Sequence, residues 1–215
     1  MMSFLSMYYR FPTLYEFAFK FPPQGYWRWK SYNTLLNHIQ HSVFSFQHSD
    51  KHELRITSYG LEIGCGAGVL SRILVESFPN LSLTSVDLSP QMIQYANRFN
   101  EHPRVQFLQG DFFELSGTYD LLISAYAWVY FPLGESVEKL KTLLCPSGRF
   151  FILNVGKTPF TQIHSTFLSK IHRKPIYLHQ PKTFQNAMEK VNFNAKWHLI
   201  ETFEWSYLIF GKKID

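Results

Sequence analysis

Cysteine is scarce in these 215 residues: Cys65 and Cys145 stand alone, eighty positions apart. That excludes a disulfide framework and the paired spacing of a structural zinc site, and it suits a compartment where thiols stay reduced. Long hydrophobic runs are missing as well. Nowhere do eighteen uncharged apolar residues follow one another, so no transmembrane helix is predicted. The opening Met1–Arg10 has neither a basic n-region nor a sustained apolar stretch, so no secretory signal is predicted. A cytoplasmic location is the expectation. Runs of five or six like charges, internal repeats and low-complexity tracts are all lacking. The nine histidines show no His-x-x-x-His or His–carboxylate spacing, so no metal is expected.

What is present is apolar and aromatic: 46% hydrophobic residues against 17% charged, with 18% Phe, Trp and Tyr. A chain of this length and composition buries one full-sized core and is globular. The net charge of +5 is uneven. Residues 1–150 hold twelve Lys/Arg and twelve Asp/Glu, whereas residues 151–215 hold nine and four. Such a surplus can draw an anionic substrate, a nucleic acid or an anionic membrane, but without a charge run it reads first as an ordinary solvated face.

Residues 1–50 are crowded with aromatics, among them Tyr8, Tyr9, Tyr26, Trp27 and Trp29, punctuated by Pro12, Pro22 and Pro23. Residues 58–156 alternate short apolar strands with amphipathic helices. Strands are predicted over Tyr59–Ile63, Leu81–Val86, Val105–Leu108, Tyr119–Ser124 and Phe150–Val155. Helical spacing links Val69, Leu70, Ile73 and Leu74, then Met92, Tyr95, Ala96 and Phe99, then Val137, Leu140 and Leu144. Ser89-Pro90 supplies an N-cap and a first-turn proline. Such alternation predicts a parallel sheet covered on both faces. Residues 157–180 read as a loose basic segment, followed by a helix through Phe184, Ala187, Met188 and Val191. The last two strands, Lys196–Phe203 and Ser206–Phe210, are joined by too short a connection for a crossover and must pair antiparallel.

The sharpest local signal is Leu61-Glu62-Ile63-Gly64-Cys65-Gly66-Ala67-Gly68, a glycine-rich turn from strand to helix. Its G-x-G-x-G spacing is not the G-x-G-x-x-G of dinucleotide binders, and no Gly-Lys-Ser/Thr follows to make a phosphate loop. Glycines there let a ligand approach the backbone. Asp87 closes the second strand, where a carboxylate can accept both hydroxyls of a ribose. Asp111, in Gly110-Asp111-Phe112-Phe113, follows the third strand, where an acceptor can meet an adenine amine and Phe112 can flank the ring. Cys65, between two glycines, reads as a small filler rather than a nucleophile.

Residues 60–155 resemble class I S-adenosylmethionine-dependent methyltransferases. The matching elements are LEIGCGAG, VDLSPQMI, QGDFF, YDLLIS and LLCPSGRFFI. The resemblance implies a Rossmann-like doubly wound α/β fold with seven strands in the order 3-2-1-4-5-7-6, the last antiparallel. Residues 1–50 then form a helical lid on a methyltransferase domain of residues 51–215, with a plain hydrophobic cap on the sheet, or a surface that docks to a membrane or a partner protein, as the alternatives. It implies S-adenosylmethionine as cofactor, with Glu62 and Gly64 at the methionyl end, Asp87 on the ribose, and Asp111 with Phe112 on the adenine. Cys65, Gly66, Gly68, Leu88, Met92 and Ser124 complete the implied cofactor set. Cys145 departs from the pattern, since a lysine is common there.

The segment after the fourth strand, Ser124-Ala125-Tyr126-Ala127-Trp128-Val129-Tyr130, lacks the Asn/Asp-Pro-Pro-Tyr/Phe element of methyltransferases acting on bases or glutamine. It resembles instead small-molecule members such as trans-aconitate and malonyl-acyl carrier protein O-methyltransferases. The acceptor implied is an O or N atom of a small polar or carboxylated metabolite, with nucleic acid disfavoured and peripheral membrane contact left open. RNA, protein, and a non-catalytic binding role are the alternatives. Tyr126, Tyr130 and His164 are the candidate catalytic side chains, and Tyr9, Tyr26, Trp27 and Arg28 the lid contacts.

Overall fold

Seven strands alternate with six helices in a computed structural model that describes residues 24–44, 58–172, 174–200 and 206–214. In chain order these are α1 (Gln24–Phe44), β1 (Ser58–Ile63), α2 (Val69–Ser77), β2 (Leu81–Asp87), α3 (Pro90–Phe99), β3 (Val105–Gln109), β4 (Tyr119–Ala125), α4 (Leu133–Leu143), β5 (Leu144–Val155), α5 (Pro159–His172), α6 (Pro181–Lys190), β6 (Phe193–Ile200) and β7 (Ser206–Lys213). The strands form one sheet in the order β3-β2-β1-β4-β5-β7-β6, as the resemblance implies. Strands β1 to β5 run parallel, and β7 is antiparallel to both β5 and β6.

Side chains of a strand point alternately to opposite faces, so a doubly covered sheet needs apolar residues at consecutive positions. In β5, Phe150 and Ile152 enter one layer with α4 and α6, against Val137, Leu140, Phe184 and Met188. Phe151 and Leu153 enter the other with α1 and α2, against Leu35, Ile39, Leu70 and Leu74. The middle of the chain is therefore a strong three-layer signal.

Three elements differ from the sequence reading. Pairing of β5 begins before the Pro146-Ser147-Gly148 turn: Tyr119 opposes Leu144, and after a register shift Leu121 opposes Arg149. Ser147 turns in the left-handed region (φ 57°), so the predicted turn survives as a bulge inside a longer strand. Residues Pro159–His172 are a helix, not a loose segment. Pro159 opens it and the Thr158 hydroxyl accepts from the Thr161 amide at 3.1 Å. Its Ile163 and Phe167 face solvent, so its apolar positions never register as a buried stripe. Strand β6 starts three residues earlier than predicted, at Phe193.

Within the predicted N-terminal cap, residues 24–44 form α1, and Leu35 and Ile39 build its inner face into the core. The remainder of residues 1–50, with Tyr9, lies outside the described residues, as do the side chains of Trp27 and His164. Among the described residues, no helix is long and apolar enough to cross a membrane and no cluster of potential metal ligands occurs.

Candidate active site

The loop after β1 is held open by backbone conformation. Gly64, Gly66 and Gly68 all have positive φ (71°, 54° and 81°), a region that costs other residues about 1–2 kcal/mol. The Gly64 and Cys65 amides both donate to the Val86 carbonyl, at 2.8 and 3.1 Å, which anchors the loop to the end of β2. A Cβ on Gly64 would lie 2.2 Å from the Ala127 Cβ. Gly64→Ala is therefore expected to cost about 2 kcal/mol by overpacking and backbone strain. Adding Ala127→Gly should restore part of the stability in a urea melt, because only the overlap is relieved.

Asp87 ends β2 facing this loop. Its Oδ2 accepts the Gly66 amide at 2.8 Å and its Oδ1 the Ser89 amide at 2.9 Å. Burial raises its carboxyl above the usual range, and the two backbone amides pull it back. A carboxylate offers about four acceptor positions, so each oxygen keeps capacity for one further donor. Two vicinal hydroxyls match that remaining capacity. Loop and carboxylate face one another, and a hydrogen bond joins them.

Glu62, one residue before the end of β1, is buried. Ser71 of α2 and Ser85 of β2 both donate to its Oε2, at 2.5 and 3.0 Å. Burial pushes its carboxyl up to about 7, against the lowering effect of the two hydroxyls. Glu62 lies two residues before Gly64, and a cationic group brought near a buried carboxyl would favour its ionised form.

The other predicted cofactor residues divide by exposure. Asp111 lies after β3, its Oδ1 accepting the Phe113 amide at 2.9 Å and capping a short 3-10 turn. Leu88 is exposed beside Asp87. Phe112 is buried, its ring packed among Phe113, Trp128 and Phe131, so its bulk serves the core. The Met92 side chain is buried too, while its amide is capped by Ser89 Oγ at 3.3 Å. Ser124 is fully buried and donates to the Ile63 carbonyl at 3.0 Å, a tie between β4 and β1. Cys65 packs with Ile93, Ala96 and Phe107, and burial drives its thiol far from ionisation, which agrees with the filler reading.

Beyond β4 the chain builds a second rim. Tyr126 adopts φ 63°, donates its amide to the Leu153 carbonyl at 2.9 Å and its hydroxyl to Ser206 Oγ at 3.3 Å. Tyr130 closes the 3-10 turn Trp128–Tyr130. The sequence reading missed the strap of residues 174–180 that crosses this rim. The Tyr177 amide bonds the Val129 carbonyl at 2.7 Å, His179 Nε2 lies 3.2 Å from the Phe131 carbonyl, and the Tyr207 hydroxyl donates to the His179 carbonyl at 3.0 Å. Asn154 completes the tie by donating to the Tyr207 hydroxyl at 3.2 Å. The available signal was Asn154, a polar residue at the end of an otherwise apolar strand.

This fold sets a glycine loop and a strand-end carboxylate at the carboxyl ends of adjacent parallel strands, where doubly wound sheets bind their ligands. Residues 61–148 match a family model described as a methyltransferase domain. Over these residues the chain is similar to methyltransferase domains, and its strand order is the one that the resemblance to class I S-adenosylmethionine-dependent methyltransferases implies. It is 35% identical over 116 residues to malonyl-[acyl-carrier protein] O-methyltransferase of Halalkalibacterium halodurans, covering 50% of this chain and 42% of that protein. The enzyme of the same name from Priestia megaterium is 38% identical over 110 residues, covering 50% and 40%. The chain thus spans about two fifths of the length of these relatives. The fold matches magnesium protoporphyrin IX methyltransferase from Synechocystis PCC 6803 with bound S-adenosylhomocysteine, at a TM-score of 0.66 and 18% identity over 88% of this chain and 86% of that one. Human N-acetylserotonin methyltransferase gives 0.65 and 18% over 86% and 52%.

Proposed function

We propose that this protein transfers a methyl group to a carboxyl oxygen of a small carboxylated acceptor, free or carried as a thioester on a carrier protein. The observation that carries the reading is the 2.8 Å hydrogen bond from the Gly66 amide to Asp87, which sets a ligand-facing backbone beside a carboxylate with acceptor capacity left. Glu62, Gly64 and Gly66 would hold the methionyl end, Asp87 the ribose, and Asp111 the adenine amine. When bound, S-adenosylmethionine supplies a methyl on a cationic sulfur, which passes to a nucleophilic oxygen while the carbon–sulfur electron pair stays on sulfur. The acceptor class is supported by the printed activity of the relatives, malonyl-[acyl-carrier protein] O-methylation.

A carboxylate is ionised at neutral pH, so it reaches the site without a proton to lose. Tyr126, Tyr130 and His164 then need not act as bases, and alignment and exclusion of water are the chain's main contributions. The cationic surplus of residues 151–215 favours an anionic partner, so the apparent KM for a carrier-bound acceptor should rise with salt.

The test uses S-adenosylmethionine labelled on the methyl and malonyl-pantetheine as acceptor. The expected product is a methyl ester, whose label is released as volatile methanol by mild base. Label that survives base treatment would place the methyl on nitrogen or carbon and overturn the carboxyl assignment. Failure to bind S-adenosylmethionine in calorimetry would overturn the activity altogether.

A further inference from the structure

Arg28 leaves α1 near its start and sets its guanidinium carbon 5.3 Å from the centre of the Tyr126 ring, with Nη1 donating to the Tyr32 hydroxyl at 3.4 Å. Tyr126 is an unusual platform. A tyrosine with φ 63° persists only when its surroundings over-determine it, and such strain collects at functional sites. Here the surroundings are explicit: the amide is tied to Leu153 in β5, the hydroxyl to Ser206 at the start of β7, and the next residue, Ala127, lies against Gly64.

The placement decides what this cation can serve. The anchors of the cofactor half, Gly64–Gly68, Asp87 and Asp111, follow β1, β2 and β3. Tyr126 follows β4 and is tied to β5 and β7, on the opposite side of the switch point between β1 and β4. Through Ala127 it is nevertheless one residue from the loop that receives the methionyl end. A guanidinium is a planar fork of five N–H donors, and a parallel pair of them is what a carboxylate accepts in bidentate fashion.

We propose that Arg28 is the receptor for the acceptor's carboxylate, with Tyr126 as the positioning residue that holds the guanidinium at the end of β4. This rests on the carboxyl-methylation reading above. It makes substrate selection a matter of one cation delivered by α1 to the acceptor half of the site, with the guanidinium fixing the plane of the carboxylate and each oxygen keeping a further lone pair.

The experiment compares wild type, Arg28→Lys, Arg28→Gln, Tyr126→Phe and Tyr126→Ala. The readouts are S-adenosylmethionine affinity by calorimetry, affinity of malonyl-pantetheine for the protein saturated with S-adenosylhomocysteine, and KM and kcat with malonyl-pantetheine. Arg28→Gln is expected to weaken acceptor binding and raise KM about 100-fold, and Arg28→Lys about tenfold, with smaller changes in kcat. Affinity for S-adenosylmethionine should stay within about twofold of wild type. Tyr126→Phe, which keeps the ring and loses only the tie to Ser206, should raise KM less than Tyr126→Ala, which should raise it in the direction of Arg28→Gln. An equal loss of S-adenosylmethionine affinity in Arg28→Gln would overturn the proposal, because the cation would then serve the cofactor's own carboxylate. Unchanged KM in an active Arg28→Gln would overturn it too. If wild type binds the cofactor yet forms no base-labile product, the carboxyl reading fails first and the assignment of Arg28 falls with it.

Discussion

Asp87→Ala should abolish measurable binding of S-adenosylmethionine while leaving the sheet intact. Two charge-assisted hydrogen bonds to a ribose contribute about 1.5–3 kcal/mol each, so their loss corresponds to on the order of 100-fold to 10,000-fold in Kd. The substitution also removes the acceptor of the Gly66 and Ser89 amides, so the loop loses one of its ties to β2, keeping those of Gly64 and Cys65 to Val86, as well as its ligand contact. Asp87→Asn distinguishes the two effects. An amide keeps one acceptor oxygen but presents an NH2 to one of those N–H groups, so it should cost about 1–3 kcal/mol of stability through a donor facing a donor. Calorimetry with S-adenosylhomocysteine measures the first effect and a denaturant melt the second. Wild-type affinity in Asp87→Ala would remove the adenosine assignment from the end of β2.

The parts of this molecule that were legible in the sequence are those where local pattern and tertiary role coincide. Strands β1 and β4 and the second half of β5 carry consecutive buried residues, so their apolar runs are read directly, and Ser89-Pro90 opens α3 as predicted. Gly64, Gly66 and Gly68 were legible because only backbone conformation explains three glycines there, and each has positive φ. Helix α5 was not, because Ile163 and Phe167 point away from the core and leave no buried apolar stripe to mark it. Phe112, Met92 and Ser124 show a different limit. A motif names positions without saying whether side chain or backbone is presented to the surface, and these three side chains are buried. The strap of residues 174–180 and the perch of Arg28 on Tyr126 depend on partners 48 and 98 positions away along the chain, in His179–Phe131 and Arg28–Tyr126. No local periodicity encodes such pairings.

Replacing Glu62 by Gln should stabilise the protein above neutral pH and weaken its cofactor binding. The carboxyl titrates near 7 when folded, against an ordinary 4.5. Below pH 4.5 it is protonated in both states. Between 4.5 and 7 the unfolded chain gives up the proton while the folded one keeps it, so stability falls as pH rises through that window. At 1.36 kcal/mol per pH unit the fall totals about 3 kcal/mol and is complete once the folded group has ionised. The glutamine side chain cannot ionise, and its amide oxygen can still accept from Ser71 and Ser85, so the Glu62→Gln variant should lack this slope. Melts at about pH 4 and pH 8 would show the difference between the two proteins change by that amount in favour of the variant. The same substitution removes the charge that would meet the cationic methionyl end. Binding to wild type near pH 6 should therefore release a fraction of a proton, detected as a dependence of the binding heat on buffer ionisation enthalpy. The variant should bind more weakly and release none. A buried carboxylate that destabilises the free fold and is relieved by its ligand ties stability to function at one atom pair. Equal pH slopes in the two proteins would show that Glu62 is ionised in the free fold and would remove that coupling.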